Sequence, residues 1–362
     1  MTDKTKAPGR LAFIDWTRGF AAVIMLQGHT FHSFTRNDLR DGGPYILSQF
    51  VGGLPPAMFL FLTGITFAFL MHSKERQGAS AREKLQAALR RSGYLFLLAF
   101  LFRIQLYVFG FPSSPASELL RVDILNCMGM TMLVFAPMAL FTTHERIRLC
   151  TVLGVVVAAL APVITSIDGP GIPWLVHAYF FPSFNYFGFF PWAAFLAFGM
   201  AAGSIIRVVK PEEMGRAMLW MTSVGVVLVV AAQYLSNLPY SIYPKSDYWL
   251  NSPGLTAVKL GIVLCILAGA FLWVNASSAQ HWSVFRQLGT TSLLVYWVHI
   301  ELVYGRWFGF WKEALTVQQV VIFSVALLAL MTLLSVFRTR GKSLGSFWRP
   351  TPVRMPGTAS GD

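Results

Sequence analysis

The chain has 362 residues, of which 55% are hydrophobic and only 12% are charged. Soluble proteins carry about 25% charged residues, so this composition excludes an ordinary soluble domain. The net charge is +13, but lysine and arginine concentrate in short connections between apolar runs. That distribution argues against nucleic-acid binding and favours membrane insertion.

The repeated apolar runs predict an all-α integral membrane protein, built as a single bundle of about ten transmembrane helices. The predicted spans are 11–34, 47–72, 92–111, 123–142, 149–168, 188–207, 218–238, 255–275, 288–306 and 319–337. Cations cluster after the even-numbered spans, so the positive-inside rule predicts that both termini are cytoplasmic. We expect a cytoplasmic tail at 1–10, a transmembrane domain at 11–337 and a basic cytoplasmic tail at 338–362.

The first predicted span carries ionisable side chains along one face. Arg18 and His29 are eleven residues apart, which returns a helix to nearly the same face about 16 Å further along. Asp15 and His32 fall on the same stripe. Because ionisable groups inside a membrane are costly, we expect them to face a cavity or a partner. In the predicted topology Arg18 lies toward the cytoplasm and both histidines lie toward the outer face.

These residues have a catalytic interpretation and a structural one. His29 and His32 are three residues apart, so both imidazoles can reach one site and act there as a general base; the alternative is interfacial packing against aromatic rings. Arg18 can bind a phosphate or a thioester carbonyl, or can only pair with Asp15. The sequence has no G-x-S-x-G elbow, which favours a histidine base over a covalent serine scheme.

The second and third spans add three further features. Residues 52–56 (GGLPP) open the second span and either leave backbone groups free toward a cavity or permit close helix packing. Arg90 and Arg91 precede the third span, where they bind the phosphates of a cytosolic donor or only anchor the helix. Arg103 lies in the middle of that span, so it must be buried against a partner or a polar cavity.

The fourth and ninth spans carry further polar residues, those of the fourth span near its predicted outer end. Asp123 and Asn126 are three residues apart; they can orient a histidine or bind a polar acceptor, or they can simply cap the helix. On the ninth span Tyr296 and His299 share a helical face with Ser292. These residues are the candidates for binding the acceptor and for orienting the base.

Several segments together resemble a known group of membrane acyltransferases. The first-helix motif Arg18-x10-His29 and the second-helix segment that follows are similar to theirs, and three later stretches resemble bacterial relatives of the heparan-α-glucosaminide N-acetyltransferase family. The related acyltransferase-three family shares the Arg-x10-His spacing and a Tyr-x-x-His, here Tyr296 to His299. The segments are FIDWTRGFAAVIMLQGHTFH, MFLFLTGITFAF, VDILNCMGM, FGFFPWAAFLAFGMAAG and LGTTSLLVYWVHI.

The resemblance implies transfer of an acyl group, such as acetyl, from cytosolic acyl-CoA to an extracytoplasmic hydroxyl or amine of a sugar or another polar acceptor. The region 11–337 would be the acyltransferase domain, in a bacterial inner membrane and surrounded by lipid. His29 or His32 would be the base with Arg18 nearby, and the donor would bind through arginines. These are Arg90, Arg91 and Arg103.

The same resemblance leaves some points open. The animal branch carries asparagine at the position of His29 and has its active histidine later in the sequence, so the base here is either His29 or His32. No metal and no nucleic acid is expected, and a homo-oligomer stays open. The alternative function is a transporter or flippase for a polar or lipid-linked solute, in which the intramembrane ionisable residues would form a relay.

Overall fold

The computed structural model describes residues 11–112, 114–167, 169, 171–276 and 282–347. Within these ranges every regular element is helical, and one isolated bridge joins Thr35 to Leu315. The predicted all-α class is therefore confirmed. The helices are α1 (Ala12–Phe34), α2 (Gly43–Gly52), α3 (Pro55–Arg76), α4 (Ala81–Gly110), α5 (Ile124–Val134), α6 (Thr143–Ser166), α7 (Trp174–Phe180), α8 (Ala193–Val208), α9 (Met214–Ser236), α10 (Pro253–Ala276), α11 (Val284–Thr290), α12 (Ser292–Tyr304) and α13 (Val317–Phe347).

Six helical segments among the described residues are long and apolar enough to cross a membrane. They are Gly43–Arg76, Ala81–Gly110, Thr143–Ser166, Pro211–Ser236, Pro253–Ala276 and Val317–Arg340. The chain is therefore a multi-pass membrane protein, whereas the count of ten spans and the cytoplasmic termini stay predictions. The predicted tail 1–10 and residues 348–362 lie outside the described residues. Helix α13 continues ten residues past the predicted domain end at 337.

Three predicted spans are interrupted in the structure. The span 47–72 divides into α2 and α3, because Pro55 and Pro56 have no N–H with which to continue the preceding helix. The span 288–306 divides at Thr291 into α11 and α12. The span 123–142 becomes α5 followed by a 3₁₀ turn at Ala136–Leu140. A hydropathy run marks the apolar length but does not show where its helix breaks.

Helix α1 lies at the centre of one half of the bundle and packs against α2, α3 and α10 to α13. Close approach to α2 depends on glycine, because a Cβ built on Gly28 would lie 2.8 Å from the Cα of Gly52. Small residues allow membrane helices to approach in this way. The GGLPP segment therefore permits close packing, the second of the two interpretations considered for it.

The chain after α12 returns to the end of α1. Arg36 N–H donates to the Leu315 carbonyl at 3.0 Å, and Leu315 N–H donates to the Phe34 carbonyl at 2.9 Å. Arg40 forms an ion pair with Glu313 at 3.2 Å across the same junction. Helix α13 thus begins beside the end of α1 and runs back along it, which brings its last turns to the level of the start of α1.

Candidate functional site

A cavity of about 1420 Å³ lies between α1, α3, α4, α5, α11, α12 and α13. Its wall includes both ends of the ionisable stripe on α1. We name the part lined by Arg18, Arg91 and Arg338 the arginine end. The part lined by His29, His32 and Tyr304 is the histidine end.

Helix geometry places the three arginines at one level. Arg18 and His29 are eleven residues apart on one continuous helix, or about 16 Å. Arg91 precedes Arg103 by twelve residues on α4, which separates them by about 18 Å. Since Phe102 contacts Tyr296, Arg91 lies well before Tyr296 along the bundle, near α11. Gln287 on α11 donates to Ser335 and Thr339, on either side of Arg338, so α13 brings Arg338 to the same region.

His29 has a histidine partner from the other end of the sequence. Its Nδ1 lies 3.0 Å from Nε2 of His299, and the two rings are nearly coplanar, with 16° between their planes. His299 is fully buried, and its Nδ1 lies 2.8 Å from the carbonyl oxygen of Val295. The Tyr304 ring packs edge-on against His29 at 5.3 Å between centroids. His29 lines the cavity while His299 lies behind it.

His32 is held differently from His29. Its side chain is exposed, and its Nδ1 lies 3.4 Å from the Tyr304 hydroxyl. Arg40 donates to the His32 carbonyl at 3.0 Å, which fixes the backbone of this turn but not the ring. The two histidines therefore face one cavity, and His29 is the one with a buried partner.

Arg103 is buried in a charged network on the opposite wall. Its guanidinium lies 3.0 Å from Asp123 and 3.6 Å from Glu118, which agrees with the expectation that a mid-span arginine needs a partner. Asp123 also accepts from the backbone N–H groups of Leu125 and Asn126 and so caps α5. Asp123 thus caps the helix, as one of its interpretations expected, and its carboxylate also pairs with Arg103.

Two polar residues at the histidine end keep their own partners. Asn126 donates to the Tyr179 hydroxyl at 3.1 Å and does not line the cavity. Glu301 does line it; it accepts from Trp307 at 3.0 Å and from Gln105 at 3.4 Å. The bond from Gln105 joins α4 to α12 beside the cavity, and the bond from Trp307 joins Glu301 to the segment after α12.

The segment between α12 and α13 covers the histidine end. Lys312 lines the cavity and donates to the Tyr304 carbonyl at 2.8 Å. Burial lowers the pKa of the Lys312 ammonium, although the nearby Glu301 carboxylate acts in the opposite direction. The contact holds Lys312 beside the residues that carry His29 and His32.

The arginine end carries an excess of positive charge. Arg18 pairs with Asp15 at 3.3 Å, and its side chain also forms part of the wall. Arg91 and Arg338 line the cavity and form no ion pair within the described part of the chain. Arg90 is exposed and does not reach the wall, so only one member of the predicted Arg90–Arg91 pair faces the cavity.

The helix break beside His29 offers no free backbone donor. Gly53 N–H donates to Gln49 and Leu54 N–H donates to Val51, while Pro55 and Pro56 have no N–H. The GGLPP segment therefore supplies no free N–H group from Gly53 or Leu54 that could meet developing negative charge, although Gly52, Pro55 and Pro56 line the cavity.

Most of the candidate residues from sequence converge on this cavity. Those on its wall are Arg18, His29, His32, Arg91, Arg103, Asp123 and Tyr296, whereas Arg90, Asn126 and His299 are not on it. Tyr304 and Arg338 also line the wall but are not among the residues predicted from the sequence. A signal existed for Arg338, which follows the buried Met331 by seven residues and so continues the inward face of α13. Tyr304 shares no stripe with His299 and had no such signal.

Comparison with known protein families identifies one family that covers more than half of the chain. A family model described as heparan-alpha-glucosaminide N-acetyltransferase, catalytic, matches residues 10–234. This region contains α1 to α8 and most of α9, and hence Arg18, the two histidines of α1 and the Arg103–Asp123 pair. No curated protein matches the chain.

Proposed function

Because the chain belongs to the heparan-alpha-glucosaminide N-acetyltransferase catalytic family, we propose that this membrane acetyltransferase uses cytosolic acetyl-CoA. The acetyl group would enter at the arginine end and pass to a hydroxyl or amine of an acceptor, a sugar or glycan, at the histidine end. One observation carries the proposal: Arg18 and His29 line the same cavity.

The arginine end suits the phosphates of the donor. A guanidinium binds phosphate oxygens through paired N–H groups, and three of them line this end. Positive charge at a membrane-protein surface favours the cytoplasmic side, where the donor is present. The offset of about 16 Å between Arg18 and His29 is one that an extended pantetheine arm can bridge.

The histidine end would supply the proton chemistry. As the acceptor oxygen or nitrogen attacks the thioester carbonyl, His29 takes the acceptor proton as a general base. The tetrahedral oxyanion is stabilised by side-chain donors, for which Arg103 and Tyr304 are available on the wall. The C–S bond then breaks, and the CoA thiolate takes the proton from the His29 imidazolium.

The remaining residues divide between the cavity and its surroundings. We assign Asp123 and Tyr296, which line the cavity, to binding of the acceptor. Asn126 and His299 lie behind the wall and would orient its groups. His29 is preferred to His32 as the base because it is the less exposed of the two and has a buried partner.

The test uses full-length protein purified in detergent, with ¹⁴C-acetyl-CoA as donor. Glucosamine serves as the amine probe and glucose as the hydroxyl probe, and free CoA thiol and labelled product are both measured. His29→Ala should reduce turnover about 10²–10⁴-fold, and added imidazole should restore part of it. The matched control is His144→Ala, which removes an exposed histidine outside this cavity.

Two results would count against the proposal. Wild-type turnover in His29→Ala would remove this residue as the base. Protein that binds acetyl-CoA, releases no thiol with either probe, and moves a labelled solute across a proteoliposome membrane would instead be a transporter.

A further inference from the structure

We propose that His299 is a positioning residue that holds His29 as its Nδ1–H tautomer, so that Nε2 of His29 is the atom that takes the acceptor proton. This inference rests on the proposed function. It names the proton-accepting atom and assigns a role to a residue that lies 270 positions away in sequence and outside the family-matched region.

The contact with Val295 determines which nitrogen of His299 carries the hydrogen. Its Nδ1 lies 2.8 Å from the carbonyl oxygen of Val295. A carbonyl oxygen only accepts hydrogen bonds, so Nδ1 of His299 must carry the hydrogen. In a neutral imidazole the other nitrogen is then an acceptor, and Nε2 of His299 therefore presents a lone pair.

The tautomer of His299 in turn determines the tautomer of His29. Nε2 of His299 lies 3.0 Å from Nδ1 of His29, so Nδ1 of His29 must be the donor. The angle of 16° between the ring planes lets the N–H point along both rings, as a good hydrogen bond requires. Nε2 of His29 is left with its lone pair on the ring that lines the cavity.

Because His299 is buried, its tautomer determines that of His29 and not the reverse. His299 has no exposed surface, and its surroundings include the ring of Tyr296 at 5.9 Å. Charging a buried group is costly, which keeps His299 neutral and its tautomer set by Val295. The tautomer of His32 is not determined in this way, because its contact is the hydroxyl of Tyr304, which can donate or accept a hydrogen bond.

The arrangement matches the order of proton movements in the transfer. The acceptor O–H or N–H bond breaks as its heavy atom forms the new bond to the thioester carbon, and the proton moves to Nε2 of His29. His29 then carries one positive charge, and its Nδ1–H donates more strongly to His299. When the C–S bond breaks, the thiolate receives that proton and His29 returns to its neutral Nδ1–H form.

Two substitutions at His299 separate positioning from packing. The Gln side chain places a carbonyl oxygen near the position of Nε2 and can accept from His29, whereas Leu fills similar space without an acceptor. His299→Leu should lower kcat about 10–100-fold with the KM for acetyl-CoA unchanged, and His299→Gln should recover most of the loss. Equal losses in the two variants, or no loss in His299→Leu, would overturn the inference.

A spectroscopic measurement tests the tautomer without relying on turnover. Protein labelled with ¹⁵N-histidine has seven histidines to resolve, and loss of a signal in His29→Ala assigns His29. The wild-type protein should show His29 as the Nδ1–H tautomer. An Nε2–H tautomer would sink the inference even if acetyl transfer is established, whereas absence of transfer would sink the proposed function and leave the tautomer result standing.

Discussion

Arg103 at the histidine end of the cavity and Arg91 and Arg338 at its arginine end are held in opposite ways. At the histidine end Arg103 lies between two carboxylates, 3.0 Å from Asp123 and 3.6 Å from Glu118. At the arginine end Arg91 and Arg338 face the cavity with no ion-pair partner within the described part of the chain. Paired buried charges hold a fixed geometry, while unpaired ones attract a mobile anion. The contrast indicates a chemically organised end and a ligand-binding end.

The largest effect should come from leaving one buried charge without its partner. Arg103→Met strips the buried Asp123 of its counter-ion, and we expect a loss of about 3–5 kcal/mol in the free energy of unfolding. Thermal unfolding in detergent measures it.

The matched control for Arg103→Met removes both charges. The double variant Arg103→Met/Asp123→Asn keeps a residue that can cap α5, because asparagine is a good N-cap. It should recover most of the lost stability. A double variant no more stable than the single one would mean that the unpaired charge of Asp123 is not what destabilises Arg103→Met.

Two glycines, one at each end, test how closely the walls must pack. Gly28→Ala places a Cβ 2.8 Å from Gly52, and we expect a loss of about 1–3 kcal/mol from overpacking. Gly93→Ala, two residues after Arg91, meets no atom within 4 Å. It should raise stability by about 0.5–1 kcal/mol through helix propensity. Thermal unfolding of both variants measures the difference, and similar losses in the two would refute tight packing as the distinction.

The unpaired arginines should govern donor binding and not the chemical step. Arg91→Ala and Arg338→Ala should each raise the KM for acetyl-CoA about tenfold, which corresponds to about 1.4 kcal/mol, with kcat unchanged. Added salt should raise the wild-type KM as well. Steady-state kinetics with varied acetyl-CoA provides the measurement.

Arg90→Ala is the control for the two arginine variants, since it removes the adjacent cation that does not reach the wall. It should leave KM unchanged. An equal rise in KM for Arg90→Ala would show that overall surface charge, and not the cavity wall, attracts the donor.

The sequence alone predicted the all-helical class of fold and the face of α1 that lines the cavity. Arg18, His29 and His32 on a single stripe of an apolar run predict a helix beside a cavity, because ionisable groups avoid lipid, and all three line one cavity. The contacts that the sequence did not predict have physical reasons for being missed. The contact between His29 and His299 joins residues 270 positions apart, and no local pattern specifies it.

Arg338 shows a second limit. The apolar run ends at Phe337, but the helix continues to Phe347. Backbone hydrogen bonding does not stop where hydropathy changes, so a residue assigned to a tail lies on the cavity wall. The break at Gly53 shows the converse, a helix that ends inside an apolar run.

The smallest effect should come from the exposed ion pair above the histidine end. Arg40 and Glu313 are 3.2 Å apart, but their side chains are 26% and 53% exposed. Exposed pairs contribute about 0–1 kcal/mol, so Glu313→Gln should change the free energy of unfolding by less than about 1 kcal/mol. Glutamine keeps an oxygen that can accept from Asn37, as Glu313 does at 3.1 Å. Measuring the thermal unfolding of Glu313→Gln and Arg103→Met side by side compares an exposed ion pair with a buried one. If Glu313→Gln were as destabilising as Arg103→Met, the junction between α1 and the segment before α13 would be what organises the histidine end, in place of the buried network on α4 and α5.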